Sequence, residues 1–230
     1  MTAPAITGSG PAPAAAAASA DPAHRSEPAG MSDPRGTLTE DMSGRASSPV
    51  LVGRDEQMAA LDAAFATARQ GGPAAVLLGG EAGVGKSRLV SEFGQAAAAA
   101  GARVLAGGCL ELGTDGLPFA PFTTILRDLV HEMGADAVAS MLPSRTTRGL
   151  ARLLPELGEA DTSGDPGEAR ARLFEEVLGT LEYLAQHSPV VLVIEDAHWA
   201  DRSSRDLLTF LIGNQRAISG LLILVTFRSD

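Results

Sequence analysis

The 230-residue chain contains one lysine, one cysteine, one tryptophan and one tyrosine. A single cysteine excludes an intrachain disulfide and any cysteine-rich metal cluster. Aromatic residues make up 4% of the chain, and residues 1–48 have none. That stretch consists largely of Ala, Pro, Gly and Ser without periodicity, and cannot bury enough apolar surface to offset its ordering entropy. It is expected to be a disordered tail, leaving residues 49–230 as the folded domain. No apolar run approaches the ~18–20 residues of a membrane span. Ala14 to Ala18 is short, weakly apolar and flanked by prolines, with no basic start, so it does not read as an export signal. Positive charge is scarce as well. The net charge is −10 and no basic cluster offsets it, which disfavours direct contact with DNA or an anionic membrane. These absences together fit a reducing cytoplasm.

The one lysine, Lys86, stands inside Gly80-Glu81-Ala82-Gly83-Val84-Gly85-Lys86-Ser87. This octapeptide satisfies the phosphate-cradling pattern G-x-x-x-x-G-K-[ST]. A compact ammonium reaches between phosphates better than a planar guanidinium does, and the chain uses arginine for its other 17 basic residues. The competing reading is a surface lysine beside a glycine-rich turn. Context favours the phosphate site. Ala74-Ala75-Val76-Leu77-Leu78 is a continuous apolar run, as in a strand buried on both faces. After Ser87, Leu89, Val90, Phe93, Ala96 and Ala97 recur at helical spacing, and Gly101 supplies a stop. The glycines allow close backbone approach to phosphates, and N–H groups at the helix start point at them. Arg88 follows directly in the same helix. Ser87 is the expected hydroxyl ligand of Mg²⁺.

Further elements alternate along the chain. A helix spans roughly Asp55 to Ala68, with Met58, Leu61 and Phe65 on one face. A second strand runs from Arg103 to Cys109, residues 111–121 form a loop, and a helix covers Phe122 to Met133. Residues 134–158 look helical but broken by Pro143 and Pro155. A long helix begins with Asp165 as N-cap, Pro166 at N1 and Glu168 at N3, and ends near His187. Val190 to Ile194 forms a strand leading into Glu195-Asp196. Asp201 caps a further helix carrying Leu207, Leu208, Leu211 and Ile212, and Leu221 to Phe227 is a last strand ending at Arg228. Apolar strands alternating with helices predict a parallel α/β sheet covered on both faces. Ligands of such sheets sit at the carboxyl ends of the strands, where the P-loop, the acidic pair and Arg228 all fall.

Two carboxylates at the end of an apolar strand suit a Mg-nucleotide site. One holds the magnesium shell, and the other orients or deprotonates the attacking water. Position assigns Glu195 to magnesium and Asp196 to water, with the reverse order open. Arg228 either reports on the γ-phosphate or is a solvated surface residue. Arg54, after Gly53, is a candidate for the nucleotide base pocket. His198 is a candidate phosphate sensor, and Trp199 reads first as packing at the sheet edge. Cys109 reads as a small buried hydrophobe.

Leu51-Val52-Gly53-Arg54-Asp55-Glu56 and the P-loop resemble the amino-terminal ATPase module of the large ATP-binding LuxR-type transcriptional regulators. The similarity continues through Cys109-Leu110-Glu111, Leu117-Pro118-Phe119-Ala120-Pro121-Phe122, Ile194-Glu195-Asp196-Ala197-His198-Trp199-Ala200-Asp201 and Thr226-Phe227-Arg228-Ser229-Asp230. The resemblance implies an AAA-like P-loop ATPase with an additional strand in its sheet, belonging to the signal-transduction class that includes maltose-regulator-like proteins. ATP or ADP would set a conformational and oligomeric switch, through self-association or contact with downstream regulator domains. Members of that class continue into a lid, helical repeats and a DNA-binding helix-turn-helix. The last strand, the lid and the DNA-binding domain are expected to be missing here, so the fold is incomplete at its C-terminus and turnover is weak or absent. ATP is preferred to GTP on resemblance alone. Two other readings stand beside the switch: a nucleotide-binding interaction module without hydrolysis, from a cyclase- or kinase-linked sensor, and a small-molecule kinase. The kinase would need a second basic cluster, to which Arg145, Arg148 and Arg152 are the nearest approach.

Overall fold

Apolar runs of about six residues are too short for core helices, and they become strands when helices can cover both their faces. The structure, a computed structural model, describes residues 5–7, 53–111, 117–142, 147–160 and 165–229. In chain order the elements are β1 (Ala5–Thr7), α1 (Asp55–Arg69), β2 (Ala74–Gly79), α2 (Lys86–Ala99), β3 (Arg103–Gly108), α3 (Ala120–Met133), α4 (Ala135–Ser140), α5 (Pro166–His187), β4 (Val190–Glu195), α6 (Arg202–Asn214) and β5 (Leu221–Phe227). Single 3-10 turns occur at Leu150–Arg152, Pro155–Leu157, Ala197–Trp199 and Gln215–Ala217. The chain divides into two units, Met1–Ser9 with Gly53–Asp230, and Gly10–Val52. All described residues lie in the first. The expected disordered tail therefore lies outside the described residues, apart from Ala5–Thr7, where the structure places a strand that the sequence pattern did not predict.

All strand pairs are parallel, in the order β1-β2-β5-β4-β3. This is a P-loop NTPase sheet, with β5 inserted between the strand that feeds the glycine loop and the strand that carries the acidic pair. Alternation along each strand divides the core in two. Leu105, Leu192, Ile194, Ile223 and Val225 join the cluster built by α3, α5 and α6. The intervening residues of β2, β4 and β5 turn to the opposite face, which α1 and α2 cover. Val190 to Ile194 are each at most 2% exposed. At about 1.5–3 kcal/mol per side chain, this strand alone contributes on the order of 10 kcal/mol of gross apolar burial.

Residues 134–158 hold less helix than the broken helix expected, and Pro143, one of its two expected breaks, lies outside the described residues. Only α4 and two 3-10 turns form among the described residues, because Gly134 adopts φ +87° and Pro155 opens a fresh turn. The segment is anchored by polar contacts instead. The Glu176 carboxylate on α5 accepts hydrogen bonds from Gly149 N–H (3.1 Å) and Leu150 N–H (2.8 Å), and Thr147 Oγ1 donates to the Leu157 carbonyl at 2.6 Å. Asp165 precedes α5 as expected, but its side chain makes no capping bond. Gly107 on β3 allows the sheet to meet the start of α3, since a Cβ there would lie 2.2 Å from the Pro121 carbonyl oxygen.

Glu176 is expected to make stability depend on pH. Burial pushes its carboxyl up from an ordinary value of 4.5, and the Leu150 and Gly149 N–H donors offset only part of that. A raised folded-state value means that the Glu176 contribution is complete below about pH 4.5 and is lost as pH rises through the raised value. Glu176→Met leaves two buried N–H groups unpaired and should lose about 1–3 kcal/mol. The gap between wild type and variant should be widest on the acid side and narrow with rising pH. Urea titrations across that range read both effects.

Candidate functional site

Parallel register brings the signal-bearing segments to one edge. Gly79 pairs with Phe227, Ile194 with Val225, and Gly108 with Glu195, so the glycine loop, Arg228 and Glu195-Asp196 all leave the sheet at the carboxyl ends of their strands. The loop strand and the acidic strand are separated by β5 alone, or roughly 10 Å between strand axes. A magnesium triphosphate can bridge that distance.

Gly80 to Gly85 form the loop between β2 and α2. Gly83 and Gly85 have φ +78° and +89°, which L side chains rarely adopt, and the space around both is open. Glu81 and Ala82 are exposed, Val84 is half-buried and Ser87 is exposed at the start of α2. That helix has no side-chain cap and no acidic residue in its first turn. Its first N–H groups and dipole are thus left for an anion. Lys86 Nζ donates to the carbonyls of Gly80 at 2.6 Å and Glu81 at 2.8 Å, folding back over the loop that it would serve. Arg88 pairs with Glu92 along α2 at 2.8 Å. Gly53 turns the chain at φ +73° before Arg54, whose Nη2 donates to the Val84 carbonyl at 2.5 Å. Arg54 therefore reaches the glycine loop itself, 30 residues away in sequence.

Glu195 ends β4, and burial together with the neighbouring Asp196 charge raises its carboxyl above the ordinary range. Asp196 takes φ +53°, a left-handed conformation that few non-glycine residues adopt and that aspartate tolerates better than most. Its N–H donates to Thr226 Oγ1 at 3.0 Å. The sequence reading missed Thr226, although a lone hydroxyl in an apolar strand was the available signal. The 3-10 turn follows with His198 and Trp199. Arg228 lies over the Trp199 ring at 5.9 Å from its centroid, a cation–π distance. Asp201 caps α6 through Ser203 and Ser204 N–H and also accepts from Phe119 N–H at 3.2 Å, tying the start of α3 to the same edge. Among the described residues, no three His, Cys, Asp or Glu side chains gather around a common point. An all-protein metal cage thus has no seat there. Mg²⁺ takes most of its ligands from water and phosphate and needs only one or two hard protein oxygens.

Cys109 is buried, and burial, Asp201 and Asp196 push its thiol up to about 11. At pH 8 its thiolate fraction should be about two hundredfold below that of a free cysteine. Iodoacetamide should leave the native chain unlabelled and modify it promptly in urea, as mass spectrometry can show.

Residues 50–225 match the family described as "AAA ATPase domain". One relative is an uncharacterized protein of Rhizobium meliloti (strain 1021), 30% identical over 178 residues. The alignment covers 72% of this chain and 17% of the relative, so the chain spans about a sixth of that protein's length.

Proposed function

The chain belongs to the AAA ATPase domain family, and from that premise we propose that it binds ATP with Mg²⁺ and hydrolyses it slowly as a nucleotide switch. The observation that carries this reading is the uncapped start of α2, with Lys86 folded onto its own loop, at the sheet edge shared with Glu195 and Asp196. When phosphates arrive, the Lys86 ammonium exchanges two carbonyl contacts for charged oxygens, and the carbonyls return to water. The loop N–H groups orient the β- and γ-phosphates. Arg54, tied to Val84, sets the loop relative to α1 and lines the approach to the base. Ser87 and Glu195 are the protein oxygens for Mg²⁺, which when bound neutralises developing charge on the phosphates. Asp196 orients the attacking water and accepts its proton. Arg228 moves from the Trp199 ring to the γ-phosphate, so nucleotide state is communicated to the surface around Trp199.

Placement in a LuxR-type bacterial transcriptional regulator rests on sequence resemblance alone. On that reading the switch acts through self-association or downstream domains, in the cytoplasm, and the acidic chain does not itself touch DNA. Titration calorimetry with ATP, ADP and GTP in Mg²⁺, followed by phosphate release, tests the reading. ATP and ADP should bind, GTP more weakly, and the single Trp199 should change its fluorescence. A folded sample that binds no nucleotide would overturn it.

A further inference from the structure

A buried polar atom without a partner is destabilising, and folded chains retain few of them. His198 has two, since neither Nδ1 nor Nε2 finds a partner among the described residues although both are shielded from solvent. The ring packs at 5.0 Å from the Trp199 indole, tilted by 46°. Packing alone would favour an apolar side chain at this position. Among the described residues, the carboxylate paired with it is that of Asp196, whose Oδ1 lies 3.9 Å from His198 Nδ1, beyond hydrogen-bond length. Their freedom is unequal. The His198 side chain is 19% exposed and held by its ring contact, whereas that of Asp196 is 45% exposed and free to adjust. Hydrogen bonds that serve catalysis are often long in ligand-free sites and tighten with substrate.

We infer that His198 is a positioning residue for Asp196, closing the gap to a hydrogen bond through Nδ1 when Mg-ATP binds and so aiming the carboxylate at the attacking water. The inference rests on the hydrolytic reading above. It gives His198 a role without contact to the nucleotide, and it accounts for an imidazole in a place where leucine would pack with nothing unpaired.

Two variants of the full chain test it. His198→Leu removes both nitrogens at similar volume, and His198→Asn keeps a donor where Nδ1 stands. The leucine variant should lower kcat for ATP by roughly tenfold or more. It should leave the Kd for ATP within about twofold and raise Tm by roughly 2–4 °C, because the unpaired atoms are gone. The asparagine variant should recover most of the lost kcat. Unchanged turnover in the leucine variant would overturn the assignment, and so would kcat and Tm falling together, the mark of a purely structural role. A wild-type chain that binds ATP through Lys86 and releases no phosphate also overturns it, while leaving the nucleotide site standing. Failure to bind ATP at all overturns both.

Discussion

Replacing Lys86 with alanine is expected to weaken Mg-ATP binding by about ten- to a hundredfold. A charge-assisted contact to phosphate is worth about 1.5–3 kcal/mol net, and no second lysine exists anywhere in the chain to take over. Lys86→Arg should recover only part of the loss, since a planar guanidinium cannot fold into the same loop as a point charge. Stability should hardly change. The Nζ contacts of Lys86 go to carbonyls at the exposed or half-buried loop, which water can serve after the ammonium is removed. Calorimetric titration of the two variants, with melting curves on the same samples, separates a lost ligand contact from a lost fold. Equal affinity in wild type and Lys86→Ala would remove the glycine loop from the site.

A larger effect is expected in turnover. Asp196→Asn should lower kcat by about 10²–10³ while leaving ATP affinity nearly unchanged, because an amide orients water but takes no proton from it. The fold should survive, since asparagine tolerates the left-handed conformation at φ +53° as well as aspartate does. Asparagine also keeps the backbone N–H that bonds Thr226. Glu195→Gln should show a different pattern, weakening binding of Mg-ATP more than binding of ATP in EDTA. Phosphate release and magnesium titrations on both variants assign the roles. The opposite pattern, with Mg²⁺ dependence lost at Asp196 and kcat lost at Glu195, would exchange them.

The strand–loop–helix around Lys86 was legible because three local signals coincide: an apolar run of strand length, glycines where the backbone needs positive φ, and helical spacing after Ser87. The acidic pair was equally plain, as two charges directly after five apolar residues. Segments without such periodicity were read less well. Residues 134–158 have the local pattern of a broken helix, but their backbone is held by Glu176 and Thr147, and contacts made 10 to 27 positions apart leave no local pattern. Strand β1 was invisible for the same reason, since three residues of sheet edge carry no period.

Local chemistry along the chain thus determined the class of fold and the alternation of β2–β5 with their helices, and it singled out the residues proposed here to meet a phosphate. Parallel pairing, which is nonlocal, decided what those residues meet. It inserted β5 between the loop and the acidic strand, brought Thr226 to the Asp196 N–H and laid Arg228 over Trp199, while the packing of α1 on β2 and α2 carried Arg54 to the Val84 carbonyl. The ring nitrogens of His198 find no hydrogen-bond partner among the described residues, which is equally a nonlocal outcome. A side chain's hydrogen bonds depend on neighbours that only the assembled sheet supplies.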